Sequence, residues 1–386
     1  MKPAVFDVCV SGSGAVARAL ALALSVQGWR VALASEPGSL APREHDIRTY
    51  ALNARSIEVL ERLRIWPSLK QFATPVHEMC VKGDRGGELR FTAWQQCVSE
   101  LAWIVDAGAL ERLLGDAIRY APHVTQIEST EGQAPAVQAS LLAVCEGKHS
   151  STREALGASF ERQPYGHWGV AARLRASRPH AGVARQWFRS PDVLALLPFQ
   201  YPEPGASYGL VWSMPQAQAQ QWLLESAEVF ESGLMKAIAD SDSAGAAQVG
   251  ELRLHGAPAA WPLAVAQASP WSGPGWVLLG DAAHQVHPLA GQGLNLGLAD
   301  VDVLSGVLRE AREREPWRSA GDERLLRRYE RARWLPTRAM AGLTDGLLHL
   351  FETDQGLVRE LRNTGMGLLN QWSPVKRWLV GQALDR

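Results

Sequence analysis

"FDVCVSGSGAVARALALALSVQGWRVALAS", residues Phe6–Ser35, reads as a strand, a turn, a helix and a second strand. Phe6–Val10 is a short apolar run of the kind found in a parallel sheet covered on both faces. A glycine turn and a long alanine- and leucine-rich helix follow, then Gly28 and a second apolar run over Arg30–Ala34. That is a βαβ unit, and it predicts an α/β fold with a parallel sheet. The turn carries chemistry as well as shape. Gly12-Ser13-Gly14-Ala15-Val16-Ala17 is a GxGxxA pattern. Its glycines let the backbone approach a pyrophosphate, and the helix amino end supplies unpaired N–H groups and positive dipole. Alanine in third place still permits close helix–strand packing, and the position after a strand and before a helix predicts dinucleotide binding. A ribose-binding acid is expected about 20 residues further on. Ser35 stands there and Glu36 comes one residue late. Glu36 is therefore either a solvated loop residue or the ribose ligand of a strand that ends one residue later.

A second stretch asks for the same kind of partner. "GDAAHQVHPLAGQGLNLGL", Gly280–Leu298, ends an apolar run with an acid and leads through a Pro/Gly loop into a helix. A carboxylate at a strand end accepts hydrogen bonds from sugar or ribityl hydroxyls, and the helix amino end that follows favours negative charge. A reduced flavin carries such charge on its pyrimidine side. His284 and His287 could also suggest a metal pair, but they sit in a Pro/Gly loop with no third ligand nearby, so packing or lining roles are expected and no metal.

The totals agree with an ordinary globular protein. The 386 residues suggest two to three domains, and 46% hydrophobic with 20% charged residues suffices for a sizeable core. A net charge of −1 gives no reason to expect nucleic acid as partner. Cys9, Cys80, Cys97 and Cys145 are scattered and read as small core residues in a reducing compartment. The start does not read as a signal peptide, and no window reaches about 18 uninterrupted apolar residues, so the expected location is the cytoplasm.

Between the two motifs, Ser56–Trp66 and Ala107–Tyr120 have helical spacing. The region from Gly166 to Trp261 reads as mostly antiparallel β-structure with one embedded helix, Gln216–Ser232. "SDSAGAAQVG" reads as a loop, and Trp276–Gly280 as another buried parallel strand. The strands near residues 6 and 276 are expected in one sheet, which makes the middle region an insertion. From Gly293 the text is helical nearly to the end, broken at "EREPWRSAGD" and at Ser373-Pro374.

The stretch from Gly280 closely resembles the flavin-ribityl motif of the class A FAD-dependent aromatic monooxygenases, and more narrowly the ubiquinone-biosynthesis hydroxylases, relatives of para-hydroxybenzoate hydroxylase. "HDIRTYALNARSIEVLERLRIW", "ARQWF", "LALLPF", "LVWS", "YERAR" and "NQWSPVKRWLVGQAL" resemble further segments of that family, so the likeness covers nearly the whole chain. The resemblance implies an α/β (α+β overall) architecture. A Rossmann-like FAD-binding domain (residues 1–75, 98–160 and 262–310) would carry an inserted antiparallel β-sheet substrate domain (76–97 and 161–261) and a C-terminal helical region (311–386). It further implies that Gly12, Gly14 and Ala17 face the FAD pyrophosphate, that Glu36 serves the ribose and that Arg48 reaches the flavin region. Gly280 and Asp281 would hold the ribityl chain and pyrophosphate. Pro288, Gly291 and Gly293, with Leu294 and Asn295 opening the helix, would lie beside the flavin ring. The β region around Gln186, Phe188, Leu194 and Trp212 is expected to wall the substrate pocket. The implied reaction is ring hydroxylation of a polyprenylated phenol. NAD(P)H reduces FAD, O2 adds at flavin C4a, and the phenol takes the distal oxygen. The cofactor supplies the hard chemistry, which fits the lack of a nucleophile triad.

The departures cluster on the adenosine side. Ser35 stands where the acid is expected, and Ala107 and Gly108 replace the polar residues relatives tend to have. Glu146 replaces the aspartate of the family's DGxxSxxR, although Gly147, Ser150 and Arg153 match. The stretch Pro122–Val144 is short for the family's β-meander. Three readings therefore stay open: a quinone-biosynthesis hydroxylase, a non-catalytic scaffold of a quinone-assembly complex, and a flavin hydroxylase of a soluble aromatic. Met366–Leu384, with Trp372 and Trp378 beside Lys376 and Arg377, reads either as a peripheral contact with the inner face of a membrane or as a helix packed on its own protein. A homo-oligomer is also left open.

Overall fold

The computed structural model describes residues 5–38, 46–83, 87–129, 137–286 and 292–352. The chain opens with β1 (Val5–Ser11), α1 (Ala15–Val26), β2 (Val31–Ser35), β3 (Thr49–Leu52), α2 (Ala54–Arg62) and α3 (Trp66–Leu69). Next come β4 (Ala73–Val76), β5 (Glu78–Lys82), β6 (Glu88–Thr92), β7 (Ala102–Asp106), α4 (Ala107–Arg119), β8 (Val124–Glu128) and β9 (Gln138–Val144). After α5 (Ser151–Ala155) the middle of the chain holds β10 (Ser159–Ala176), β11 (Val183–Arg189), β12 (Asp192–Phe199), β13 (Ser207–Pro215), α6 (Gln216–Leu224), α7 (Ala227–Ser241) and α8 (Ser243–Val249). It closes with β14 (Leu252–Leu254), β15 (Ala259–Ser269), β16 (Ser272–Gly273), β17 (Trp276–Leu278), β18 (His284–Gln285), α9 (Gln292–Arg314) and α10 (Glu323–Glu352).

The expected single sheet joins both ends of the sequence. Its order is β16-β17-β9-β1-β2-β8, with β1 parallel to β2 and β9, and β17 parallel to β9. Val8, Val10, Val31 and Leu33 are fully buried because helices cover this sheet. A small β3-β7-β4 sheet stands beside it. The larger sheet, along the path β18-β15-β10-β13-β12-β11-β5-β6, is antiparallel except where β11 runs parallel to β5. Its 18-residue strand β10 pairs with both β13 and β15 and shifts register between Pro164 and Trp168.

Several boundaries differ from expectation for identifiable reasons. The second strand runs Val31–Ser35 instead of Arg30–Ala34, since Ser35 still pairs with Glu128. The middle region holds three helices instead of one. Glu225 is extended and ends α6, and Ser226 caps α7 by accepting from the Val229 N–H. "SDSAGAAQVG" is not a loop. Asp242 accepts from the Gly245 N–H and starts α8, which buries Ala246 and Val249. Leu194 and Trp212 are directly paired across β12 and β13, and both lie in the core beneath α6 and α7 with Phe230 and Leu234. Phe188 sits on the other face, packed on Val81 and Val193. Of the cysteines, Cys97 is exposed and the other three are buried. The predicted break between the last helices is present, as α9 ends at Arg314 and α10 begins at Glu323. The break at Ser373-Pro374 and the Met366–Leu384 segment lie outside the described residues.

Candidate functional site: two turns that meet at Val16

The first turn leaves β1 at Ser11. Gly12 has φ +135°, and a Cβ there would lie 2.4 Å from the Cys145 carbonyl oxygen, so its glycine is required from inside the protein. Gly14 is different. It is the N-cap of α1 at φ −77°, ψ 179°, a conformation open to any residue, and a Cβ would meet nothing within 4 Å. No side chain caps α1, and its first turn holds no acid. The amino end of a helix therefore faces open space at a residue kept small for no internal reason. An uncapped helix end of this kind is suited to an anion such as a diphosphate. Ala17 is fully buried, as close packing against the strand requires.

The second turn follows β17. Gly280 has φ +58°, and its N–H donates to Asp300 Oδ2 at 2.9 Å. Asp300 lies on α9 and is fully buried, yet it collects two more donors: His284 Nε2 at 2.7 Å and Arg333 Nε at 2.6 Å. Burial alone would raise this carboxyl's pKa; the His284 and Arg333 charges outweigh it and hold it below the ordinary carboxylate value. The Arg333 Nη2 also donates to the Leu296 carbonyl, and Tyr329 Oη to the Leu278 carbonyl, so α10 braces the strand from behind. His284 thus belongs to a buried ion-pair network. Among the described residues no His, Cys, Asp or Glu cluster could hold a metal.

Asp281 projects where this brace is absent. It keeps an exposed surface although protein surrounds it. Its pKa is raised, first by that enclosure, with His284, Lys148 and Arg48 pulling the other way. Gly293, in the first turn of α9, would place a Cβ 4.0 Å from Asp281 Oδ1. The two turns meet through α1: a Cβ on Gly280 would come 3.3 Å from Val16 Cγ2, and one on Gly297 would come 2.5 Å from it. Pro288, Gly291 and His287 lie outside the described residues.

The remaining predicted residues divide. Ser35 is the last strand residue and is buried, while Glu36 follows at once and is exposed, so the acid does stand at the strand end. Arg48 is clamped by Asp46, with Nε 2.9 Å from Oδ1, and reaches Glu111 Oε1 at 3.3 Å, although its charge still acts on Asp281. Leu294 is buried. The Asn295 side chain is engaged within the protein: Oδ1 accepts from Asn53 N and Ser56 Oγ, and Nδ2 donates to the Ala51 carbonyl. It fixes α9 on β3 and α2, leaving the backbone for any ligand.

On the adenosine side the substitutions are absorbed internally. The Glu146 carboxylate accepts from Ser11 Oγ, Ser150 Oγ (2.8 Å), Thr152 Oγ1 (2.6 Å) and Thr152 N (3.2 Å). Burial opposes its charge, but these donors hold its pKa below the usual value. The longer side chain therefore ties the end of β1 to the start of α5. Ala107 is buried at the start of α4, which Asp106 caps from Oδ1 to the Ala109 N–H at 2.7 Å. Asp300, Arg333 and Arg18 were not among the predicted site residues. Asp300 offered one signal, an acid between the apolar residues Ala299 and Val301 of a helix.

Residues 116–342 match the family model described as FAD binding domain. The chain is 27% identical to the ubiquinone hydroxylase UbiL of Rhodospirillum rubrum, over 98% of this chain and 90% of that one. It is likewise 27% identical to the 3-demethoxyubiquinol 3-hydroxylase of Escherichia coli K12, over 98% of each. Among solved structures, PqsL of Pseudomonas aeruginosa in complex with 2-aminobenzoylacetate has a TM-score of 0.75 at 20% identity, covering 94% of this chain and 99% of that one.

Proposed function

The chain belongs to the FAD binding domain family, and from that premise we propose that it is an FAD-dependent monooxygenase that hydroxylates the ring of a ubiquinone precursor, with NAD(P)H and O2 as co-substrates. The observation that carries this reading is the pair of turns around Val16: open N–H groups at Gly14 and an outward carboxylate at Asp281. Gly12 and Gly14 would receive the diphosphate, Glu36 the ribose and Asp281 the ribityl hydroxyls. The start of α9, with Gly293 over Asp281, would bring helix amino-end N–H groups toward the anionic side of the reduced ring. FAD, when bound, supplies the redox and oxygen chemistry. The face of the large sheet turned away from α6 and α7 is the side that would meet the substrate ring.

The near full-length likeness to ubiquinone hydroxylases supports the substrate class. A prenylated substrate implies contact with a membrane surface. Among the described residues no helix is long and apolar enough to cross one, so that contact would be peripheral. A second reading, a scaffold that does not hold FAD, draws on the internally bound Glu146 and the ion-paired Arg48.

The test uses the full chain. Purified protein is titrated with FAD, then given NADH or NADPH, 18O2 and a short-chain prenylated phenol. Flavin binding with one 18O atom in the ring product is expected. FAD binding with reductant consumption but no labelled product overturns the hydroxylase assignment. Failure to bind FAD favours the scaffold.

A further inference from the structure

Arg18 is a charged side chain buried in the apolar helix that carries the glycine turn, 2% exposed among Ala17, Ala19 and Leu20. Removing a guanidinium from water is costly, so a folded protein keeps one inside only where its hydrogen bonds hold something in place. Its Nε donates to the Ser13 carbonyl at 2.7 Å and its Nη1 to the Glu111 carbonyl at 2.6 Å. Those bonds join the middle residue of the GxGxxA turn to the second turn of α4. The site is made to measure: a Cβ on Gly115 of α4 would lie 2.9 Å from Nη1.

The consequence follows from the planar trans peptide. Ser13 C=O and Gly14 N–H belong to one peptide unit and point in opposite directions. By drawing the carbonyl inward, Arg18 turns the Gly14 N–H away from the helix. That is the side on which a Gly14 Cβ would meet nothing within 4 Å. The cation also lies beneath the helix end that an anion would approach, and next to an α4 start that offers only Ala107 and Gly108.

We propose that Arg18 is a positioning residue for the cofactor's diphosphate, locking the Ser13–Gly14 peptide with its N–H outward and placing a positive charge under the turn. The inference rests on the FAD reading and goes beyond it by naming the residue that replaces the missing polar groups of α4.

The test compares FAD with riboflavin, which lacks the diphosphate, in titrations of the full-length apoprotein. Arg18→Met is expected to weaken FAD at least tenfold while changing riboflavin less than twofold, with Arg18→Lys between wild type and Met. Gly115→Ala, which crowds the guanidinium, should weaken FAD in the same selective way by a smaller factor. A folded Arg18→Met that binds FAD within threefold of wild type overturns the proposal. So does an equal loss of both ligands, the mark of a purely structural role. If Arg18→Met does not fold, Gly115→Ala decides, and unchanged FAD binding there overturns it. Wild-type protein that binds riboflavin and FAD equally well overturns this proposal alone, whereas binding neither overturns the flavin reading as well.

Discussion

Behind the Gly280–Asp281 turn stand three ionisable side chains from three elements: Asp300 on α9, His284 on β18 and Arg333 on α10. Behind the Gly12–Gly14 turn stand the Cys145 carbonyl against Gly12 and a single buried cation, Arg18, that donates to the Ser13 and Glu111 carbonyls. Glu146, joined to Ser11 at the end of β1, is bonded to its own protein. One half of the site is thus braced by buried charge and presents a carboxylate outward. The other is braced by main-chain carbonyls gathered on one buried guanidinium, Arg18, and presents N–H groups. The departures at Glu146, Ala107 and Gly108 fall on the half that, in the proposed reading, would meet its ligand chiefly through backbone N–H groups, where side-chain losses matter least.

If that contrast is right, its largest expression is in Asp300. Asp300→Ala leaves the Arg333 guanidinium buried without its carboxylate and the Gly280 N–H without its acceptor. A loss of roughly 3–5 kcal/mol in unfolding free energy is expected from breaking a buried pair in this way, measured by urea denaturation of the apoprotein. The pH dependence has a definite sign. The folded carboxyl titrates below its unfolded value, so its contribution is complete above the ordinary carboxylate range. It is lost as pH falls through the folded value, and the gap between wild type and variant narrows there. A variant as stable as wild type would mean that the charged brace supports nothing.

Asp281 should respond oppositely. Its folded carboxyl is raised, so the folded chain keeps its proton where the unfolded chain has lost it. Apoprotein stability then falls as pH rises through that window, and at neutral pH the ionised group is a cost. Asp281→Asn is expected to stabilise the apoprotein slightly at pH 7. It should weaken FAD by about 10- to 100-fold, the size of one lost charge-assisted bond of roughly 1.5–3 kcal/mol. Thermal melts with and without FAD read both effects. Unchanged affinity would remove Asp281 from the site.

The two glycines separate fold from ligand within the first turn. Gly12→Ala combines a positive φ with a Cβ driven into the Cys145 carbonyl, and should cost about 1–3 kcal/mol of stability. Gly14→Ala has room and a permitted conformation, and should change stability by less than about 1 kcal/mol. It should nevertheless weaken FAD tenfold or more by filling the cradle. Equal stability losses in the two variants, with FAD binding intact at Gly14→Ala, would make the turn merely structural.

What could be read from the sequence was local. The βαβ opening, the glycine turn and the strand before Gly280 follow from apolar runs and turn residues within a few positions of one another. Period two in β12 and β13 gives alternation but not direction, so the pattern alone does not say that Leu194 and Trp212 turn under α6 and α7. α8 was missed because alanine and glycine between serines look like a loop until Asp242 is seen to cap them. The brace of the second turn was out of reach for a different reason. Asp300 and Arg333 lie 20 and 53 residues beyond Gly280 and meet it only through the fold.

The smallest effect belongs to Glu36, and it tests how much of the adenosine side remains. β2 continues through Ser35, so Glu36 sits on the first exposed position past the sheet, next to the glycine turn that β1 feeds. Gly12 N–H donates to the Ala34 carbonyl, which holds the two strand ends in register. A ribose bound over the turn would meet the Glu36 side chain in water's reach, where one hydrogen bond is worth roughly 0.5–1.5 kcal/mol. Glu36→Gln keeps an acceptor and should weaken FAD about twofold. Glu36→Ala removes it and should weaken FAD about three- to tenfold, with no change in riboflavin binding or in the melting temperature of the apoprotein. Ser35→Ala, at a buried strand residue, should leave the FAD-to-riboflavin ratio unchanged. Should Ser35→Ala and not Glu36→Ala alter that ratio, the strand end is misassigned by one residue and the adenosine contacts must be sought elsewhere along β2.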